Sequence, residues 1–241
     1  MRRFPDDKAL GQYVAGRIAE VVRAKPDALI SIAAGTSSFP VFDALKEMVR
    51  SGRLSFAQAR FFGMDEWCGL PQDADGAMAE FLRKHFLREV DFGEEFLFDG
   101  AADPQTECAR AEAYLAAHGP FDAIVFGIGV NGHVALNEPG VDPSLGVRIA
   151  QVAGVTATVA QKYFEKAAPP LKEGVTLGLA DAAAAKALWV VANTPAKREA
   201  VERIEALTAA GAPGNQVPAS LVAALPQAEL LVTEAVYAPA T

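Results

Sequence analysis

Residues 121–140, FDAIVFGIGVNGHVALNEPG, decide how this chain is read. The run Phe121–Phe126 is apolar, carries β-branched and aromatic residues, and ends in glycine. That is the pattern of a buried parallel strand. Gly127, Gly129 and Gly132 then make a loop that can take φ > 0 and come close to a ligand. Asn131 and His133 stand inside that loop, and Asn137, Glu138 and Pro139 follow. In open α/β sheets, ligands occupy the crevice outside the carboxyl ends of the strands. A histidine and a glutamate delivered just past such an end are candidates for proton transfer and its support. A lone Gly-x-Gly is weak evidence, and one histidine is more often structural than catalytic. Three polar groups packed between glycines, directly after an apolar strand, point towards function.

The rest of the chain agrees with a globular protein. It has 241 residues, 51% of them hydrophobic and 22% charged, with a net charge of −8. That length predicts roughly one to two domains. No linker or low-complexity segment divides it, so one domain over 1–241 is expected. The acidic balance argues against nucleic acid and anionic membranes as partners. An anionic substrate therefore needs a local positive pocket. Cys68 and Cys108 are the only cysteines and form no metal-type pair, which fits a reducing, cytoplasmic setting. The N-terminal MRRFPDDKALGQYV has no apolar core of a signal peptide, and no apolar stretch is long enough to span a bilayer.

Strands and helices alternate along the chain. Asp6–Lys25 carries Leu10, Val14, Ile18, Val21 and Val22 at helical spacing. Residues 28–32 read as a buried strand, followed by Gly35-Thr36-Ser37-Ser38 and a helix from about residue 39 or 40 to Arg50. Strand, small hydroxylated loop, helix is a place to hold phosphate, because the free N–H groups and the dipole of the first turn favour an anion. An ordinary N-cap is the alternative there. Residues 60–64 read as the next strand, ending in Asp65-Glu66-Trp67, whose two carboxylates either face the same crevice or belong to a solvated turn. Helices are expected over 77–90 and 106–118, with His85 and His118 on their surfaces.

Residues 142–174 are the least regular, with a short helix over Val159–Ala167 carrying Lys162. Residues 175–179 read as a strand or a strand-to-helix turn. A strand over 187–191 leads to Asn193-Thr194-Pro195-Ala196-Lys197, which opens a helix to about Leu207, with Thr194 as N-cap. A lysine in a first turn opposes the helix dipole, a placement that makes sense if an anion binds beside it. A last strand covers 230–233. The pattern predicts a three-layer α/β/α, Rossmann-like fold with a mostly parallel sheet.

These motifs together resemble the glucosamine-6-phosphate isomerase (deaminase) and 6-phosphogluconolactonase family. The resemblance runs over nearly the whole chain. It rests on GTS at Gly35–Ser37, MDEWCGLP at Met64–Pro71, GIGVNGHVALNEPG at Gly127–Gly140, and Lys197. Lactonases follow the histidine with a Thr-Ala-Ser-Leu-Phe-Pro type of sequence and carry Asp-Glu-Arg where this chain has Asp65-Glu66-Trp67. Val134–Pro139 is instead similar to the amino-sugar isomerase branch. Glucosamine enzymes have Asp at the position of Asn131. The Asn-Gly-His version, with Asp-Glu-Trp and a late Pro-Ala-Ser, is similar to galactosamine-6-phosphate isomerases.

The resemblance implies conversion of glucosamine or galactosamine 6-phosphate to a ketohexose 6-phosphate and ammonia. It implies no metal and no cofactor. Asp65 would shuttle the C2 proton, His133 would open the ring, and Glu138 would support His133, with Asn131 beside it. Gly35, Thr36, Ser37, Gly132, Lys162 and Lys197 would bind substrate and phosphate. The alternatives are lactone hydrolysis and non-catalytic binding of a sugar phosphate. The chain ends soon after the last strand, unlike the hexameric, allosteric members, so a monomer or small homo-oligomer without allostery is expected.

Overall fold

The computed structural model describes residues 1–239. Seven strands form one wholly parallel sheet: β1 (Arg2–Phe4), β2 (Leu29–Ile32), β3 (Arg60–Phe62), β5 (Glu94–Phe96), β6 (Ala123–Gly127), β9 (Leu188–Ala192) and β10 (Ala228–Thr233). Their order is β1-β10-β9-β6-β2-β3-β5. The chain winds outward from β2 to the β5 edge, then returns with β6 on the other side of β2. That reversal between β2 and β6 is a topological switch point, where two successive loops diverge and leave a crevice.

Helices cover both faces, as a parallel sheet requires. On one face lie α1 (Asp7–Ala24), α2 (Phe39–Arg50) and α3 (Met78–His85), packed on Ile30, Ile32, Phe61, Val125 and Val191. On the other lie α4 (Pro104–His118), α7 (Arg198–Ala209) and α8 (Pro218–Ala223), packed on Leu29, Phe62, Ile124, Phe126 and Val190. Alternation with period two divides the side chains of each strand between these two cores. The Asp6 carboxylate caps α1 by accepting the Ala9 N–H at 2.7 Å, a contact that contributes about 1 kcal/mol.

Three more strands form a separate antiparallel sheet in the order β4-β8-β7: β4 (Asp65–Trp67), β7 (Arg148–Gln151) and β8 (Glu173–Thr176). This sheet corrects the reading of 142–174 as mostly irregular. It also accounts for Asp65-Glu66-Trp67, which is a strand and not a turn at the end of β3. Its own small core contains Trp67, Leu136, Ala150 and Leu171.

Other boundaries differ for local reasons. The helix expected over 77–90 breaks at Phe86, whose ring is buried and stacks on Phe42 at 4.5 Å. The helix expected over 159–167 is α5 (Gly154–Ala160), with one 3-10 turn over Gln161–Tyr163. Beyond it, the Asp75 carboxylate accepts the N–H groups of Glu165 and Lys166 and draws the chain into a loop. Likewise β8 ends at Thr176, and α6 (Leu179–Ala184) starts where Asp181 accepts the Gly178 N–H. Thr194 makes no side-chain cap. Its segment enters α7 through a 3-10 turn over Pro195–Lys197. His85 and His118 are half-buried, not surface residues: His85 packs on Phe39 and Phe81, and His118 on Tyr114.

Candidate active site

The loops after β2, β6 and β9 converge at the switch point and, with the small sheet and α5, enclose a cavity of about 250 Å³. Gly35, Thr36, Ser37, Asp65, His133, Lys162 and Lys197 all line it. Sequence segments more than a hundred residues apart are thus brought to one place. Trp67, Met78, Phe81 and Leu136 supply apolar wall. Asn131, Gly132 and Glu138 stand behind His133 and hold it without lining the cavity themselves.

His133 is built into the loop by its neighbours. The Asn131 Oδ1 atom lies 2.7 Å from His133 Nδ1 and also accepts the His133 N–H at 3.2 Å. The Asn131 Nδ2 atom donates to Glu138 Oε2 at 2.8 Å. These contacts fix which end of the amide is oxygen, because the nitrogen must face the carboxylate. An oxygen that only accepts places the proton of the imidazole on Nδ1 and leaves Nε2 as the basic atom. Glu138 Oε2 itself is 3.6 Å from His133 Nδ1, too long for a hydrogen bond. The resemblance implies that Glu138 orients and charge-stabilises His133; in the structure the Asn131 amide stands between the two.

The loop geometry demands particular residues. A Cβ on Gly129 would overlap the His133 ring at Nδ1 and Cε1, so only glycine lets the imidazole lie against the backbone. Gly132 has φ +88°, and a Cβ there would come within 2.7 Å of Val217. Ala135 is left-handed at φ 48°, a backbone strain that costs roughly 1–2 kcal/mol and sits on the cavity wall. Asn137 fastens the loop by donating to the carbonyls of Val134 and Leu177. Burial lowers the pKa of His133, Glu138 opposes that shift, and Lys197 reinforces it.

Asp65 and Glu66 show what strand alternation does to two adjacent carboxylates. Asp65 and Trp67 face the cavity and Glu66 faces away. Glu66 accepts three backbone N–H groups, from Trp67 at 2.9 Å, Met78 at 3.0 Å and Ala79 at 2.8 Å. Asp65 has no hydrogen-bond or ionic partner among the described residues. Burial, assisted by the charge of Glu66, pushes the Asp65 carboxyl up to about 8. Of the two carboxylates read as facing the crevice or lying in a turn, one faces the crevice.

The strand bearing Asp65 and the loop bearing His133 share a fastening. Thr176 stands opposite Asp65 in register, and its hydroxyl accepts the Leu136 N–H at 3.2 Å.

Lys162 and Lys197 line the same cavity. Neither ammonium has a carboxylate partner among the described residues. Burial and the charge of Lys162 bring Lys197 down to about 8. An uncompensated cation pair beside the Gly35–Ser37 backbone is a place for an anion.

Two residues of this region were not anticipated. Thr156 on α5 places its hydroxyl 3.2 Å from His133 Nδ1. Tyr163 places its hydroxyl over the Gly35–Ser37 loop, accepting the Thr36 N–H at 3.4 Å, and its ring lies 4.9 Å from the Lys162 ammonium. The α5 segment therefore touches both His133 and the Gly35–Ser37 loop. Only the neighbouring Lys162 offered a signal for it in the sequence.

Comparison with known proteins identifies the family. The chain is 35% identical to glucosamine-6-phosphate deaminase 2 of Giardia intestinalis over 98% of its own length and 89% of that protein's. Its fold superposes on a monomeric glucosamine-6-phosphate deaminase with a TM-score of 0.91 at 24% identity, covering 98% of each chain. It superposes on a 6-phosphogluconolactonase from Thermotoga maritima with a TM-score of 0.73 at 18% identity, covering 97% of this chain and 98% of that one. The family model for glucosamine-6-phosphate isomerases/6-phosphogluconolactonase matches residues 7–232, and the chain belongs to that family.

Proposed function

We propose that the chain is an amino-sugar-6-phosphate isomerase and deaminase, acting on glucosamine 6-phosphate or galactosamine 6-phosphate. The observation that carries this reading is the Asp65 carboxylate, without a partner among the described residues, facing the same cavity as His133, with Lys162 and Lys197, which have no carboxylate partner among the described residues, also lining it. An aldose–ketose shift needs a base able to reach two adjacent carbons, and hydrolysis of a lactone does not.

In this reading Lys162, Lys197 and the Gly35–Ser37 backbone hold the phosphate. His133 Nε2 takes the proton of the anomeric hydroxyl and returns it to the ring oxygen as the ring opens. Asp65 removes the proton from C2 while the C1 oxygen takes a proton from the C2 ammonium, leaving an enol-type intermediate, and Asp65 then delivers the C2 proton to C1. The amine-bearing C2 becomes an imine, takes up water and releases ammonia. The product is a ketohexose 6-phosphate. Asn131 keeps His133 in one tautomer, and Glu138 keeps Asn131 in one orientation.

The names of the relatives favour glucosamine 6-phosphate, while Asn131 in the Asn-Gly-His motif favours the galactosamine epimer. We further propose one catalytic domain, a cytoplasmic setting, and a monomer or small homo-oligomer. An ammonia-release assay run in parallel on the two epimers tests the reading. Release of ammonia with formation of ketohexose phosphate is expected from at least one of them. Hydrolysis of a 6-phosphogluconolactone without ammonia release from either would overturn it, as would binding without turnover.

A further inference from the structure

Glu66 is 1% exposed and takes no place in the cavity, yet it is joined to the residue that does. Its carboxylate crosses from β4 to the first turn of α3, where Met78 and Ala79 donate their N–H groups. α3 has no capping side chain of its own, since Ala77 stands at its N-cap. A residue twelve positions upstream of Met78 thus does the work of the N-cap, with the charge that a helix N-terminus favours. The third bond, from the Trp67 N–H, is made within β4 itself. The three bonds that Glu66 accepts lie on the side of β4 away from the cavity, and Asp65, on the cavity side, has no donor among the described residues.

We propose that Glu66 is a positioning residue for Asp65: it clamps β4 onto the first turn of α3 and so fixes where the Asp65 carboxylate stands. The proposal rests on Asp65 being the base. The charged and titratable groups around the pair are few. Arg83 on α3 acts on Glu66 from one side. Cys68 follows on the chain, and burial pushes its thiol up to about 11, so it stays neutral. Glu173 on β8 lies next to Cys68 and is engaged by Gln151. His133, Lys162 and Lys197 line the same cavity as Asp65. Arg83 lowers the Glu66 pKa, and burial outweighs it: the Glu66 carboxyl is pushed up to about 7. Above that value Glu66 carries the negative charge that opposes ionisation of Asp65.

Two substitutions separate charge from reach. Glu66→Gln keeps the length and removes the charge, at the loss of one accepting atom, since its amide nitrogen cannot accept a backbone N–H. The acid limb of kcat/KM is expected to move to lower pH by about half a unit or more, because loss of a nearby like charge eases ionisation of Asp65. Glu66→Asp keeps the charge but falls one methylene short of α3. It should leave that limb in place and lower kcat about tenfold or more, with KM within about threefold, because β4 is no longer held in register with the substrate. A merely structural glutamate would change stability and move neither the limb nor kcat apart from KM. Folded variants with wild-type profiles overturn the proposal. Loss of the fold in both variants also overturns it, since Glu66 would then serve only the scaffold. These outcomes are distinct from failure of the functional reading, which shows as a wild-type protein that releases no ammonia from either epimer.

Discussion

Asn131 Oδ1 lies 2.7 Å from His133 Nδ1, closer to the imidazole than the carboxylate of Glu138 at 3.6 Å. The histidine is therefore oriented by a neutral amide, and the carboxylate acts mainly through that amide. A neutral partner fixes the tautomer without holding a proton on the ring. Burial then keeps the imidazole neutral, ready to accept a proton at Nε2.

Replacing the relay by a charge tests this arrangement. Asn131→Asp brings a carboxylate directly against Nδ1, and an opposite charge at that distance raises the histidine pKa. The limb of the kcat/KM–pH profile governed by His133 should move to higher pH, since that profile reports free-enzyme values. The same substitution replaces the 2.8 Å amide–carboxylate contact of Asn131 with Glu138 by two facing carboxylates, and the variant should keep the fold and some activity. A folded variant with an unmoved limb would show that position 131 does not sense His133.

Gly129→Ala should separate activity from folding. The added methyl overlaps the His133 ring and forces it off its present line, while the strand before it is untouched. A misplacement of about 1 Å can cost a hundredfold in rate, so kcat should fall by about that factor or more with the thermal midpoint changed by a few degrees. Wild-type kcat in Gly129→Ala would mean that the ring can move without cost.

Lys197→Met should weaken substrate binding and improve the pH response of stability. A charge-assisted contact to phosphate contributes about 1.5–3 kcal/mol, hence KM should rise about tenfold or more. In the free protein the Lys197 pKa is lowered from 10.5 to about 8. Between those values the unfolded chain holds a proton that the folded chain lacks, so Lys197 makes stability rise with pH across that window. Denaturation measured at pH 8 and at pH 10 should show a rise that is smaller in the methionine variant. An unchanged KM would place the phosphate elsewhere.

The parts of this architecture that the sequence makes legible are those with strong local signals. Residues 28–32, 121–126 and 187–191 are apolar runs bounded by turn residues, and they are the buried strands β2, β6 and β9. The chain Asn131–His133–Glu138 is readable because all three residues lie in one eight-residue loop. The small sheet is not readable: its strands are three or four residues long, and Asp65 pairs with Thr176 across the sequence. The edge strands β1 and β5 have three residues each and no sustained alternation. The different fates of Asp65 and Glu66 follow from which face of β4 meets the cavity, and that depends on the distant β8. Thr156 and Tyr163 reach the site through the packing of α5, for which no local pattern exists.

The central claim is that Asp65 moves the C2 proton. Burial holds its carboxyl at about 8, so the base form, and with it kcat/KM, should increase as pH rises from 6 towards 8. The most direct measurement is exchange of the substrate C2 proton with deuterated solvent, followed by NMR for the wild type and Asp65→Asn. The account predicts that the asparagine variant loses exchange and ammonia release together, while it binds the amino-sugar phosphate within a few-fold of the wild type. Exchange at the wild-type rate in a folded Asp65→Asn protein would contradict it.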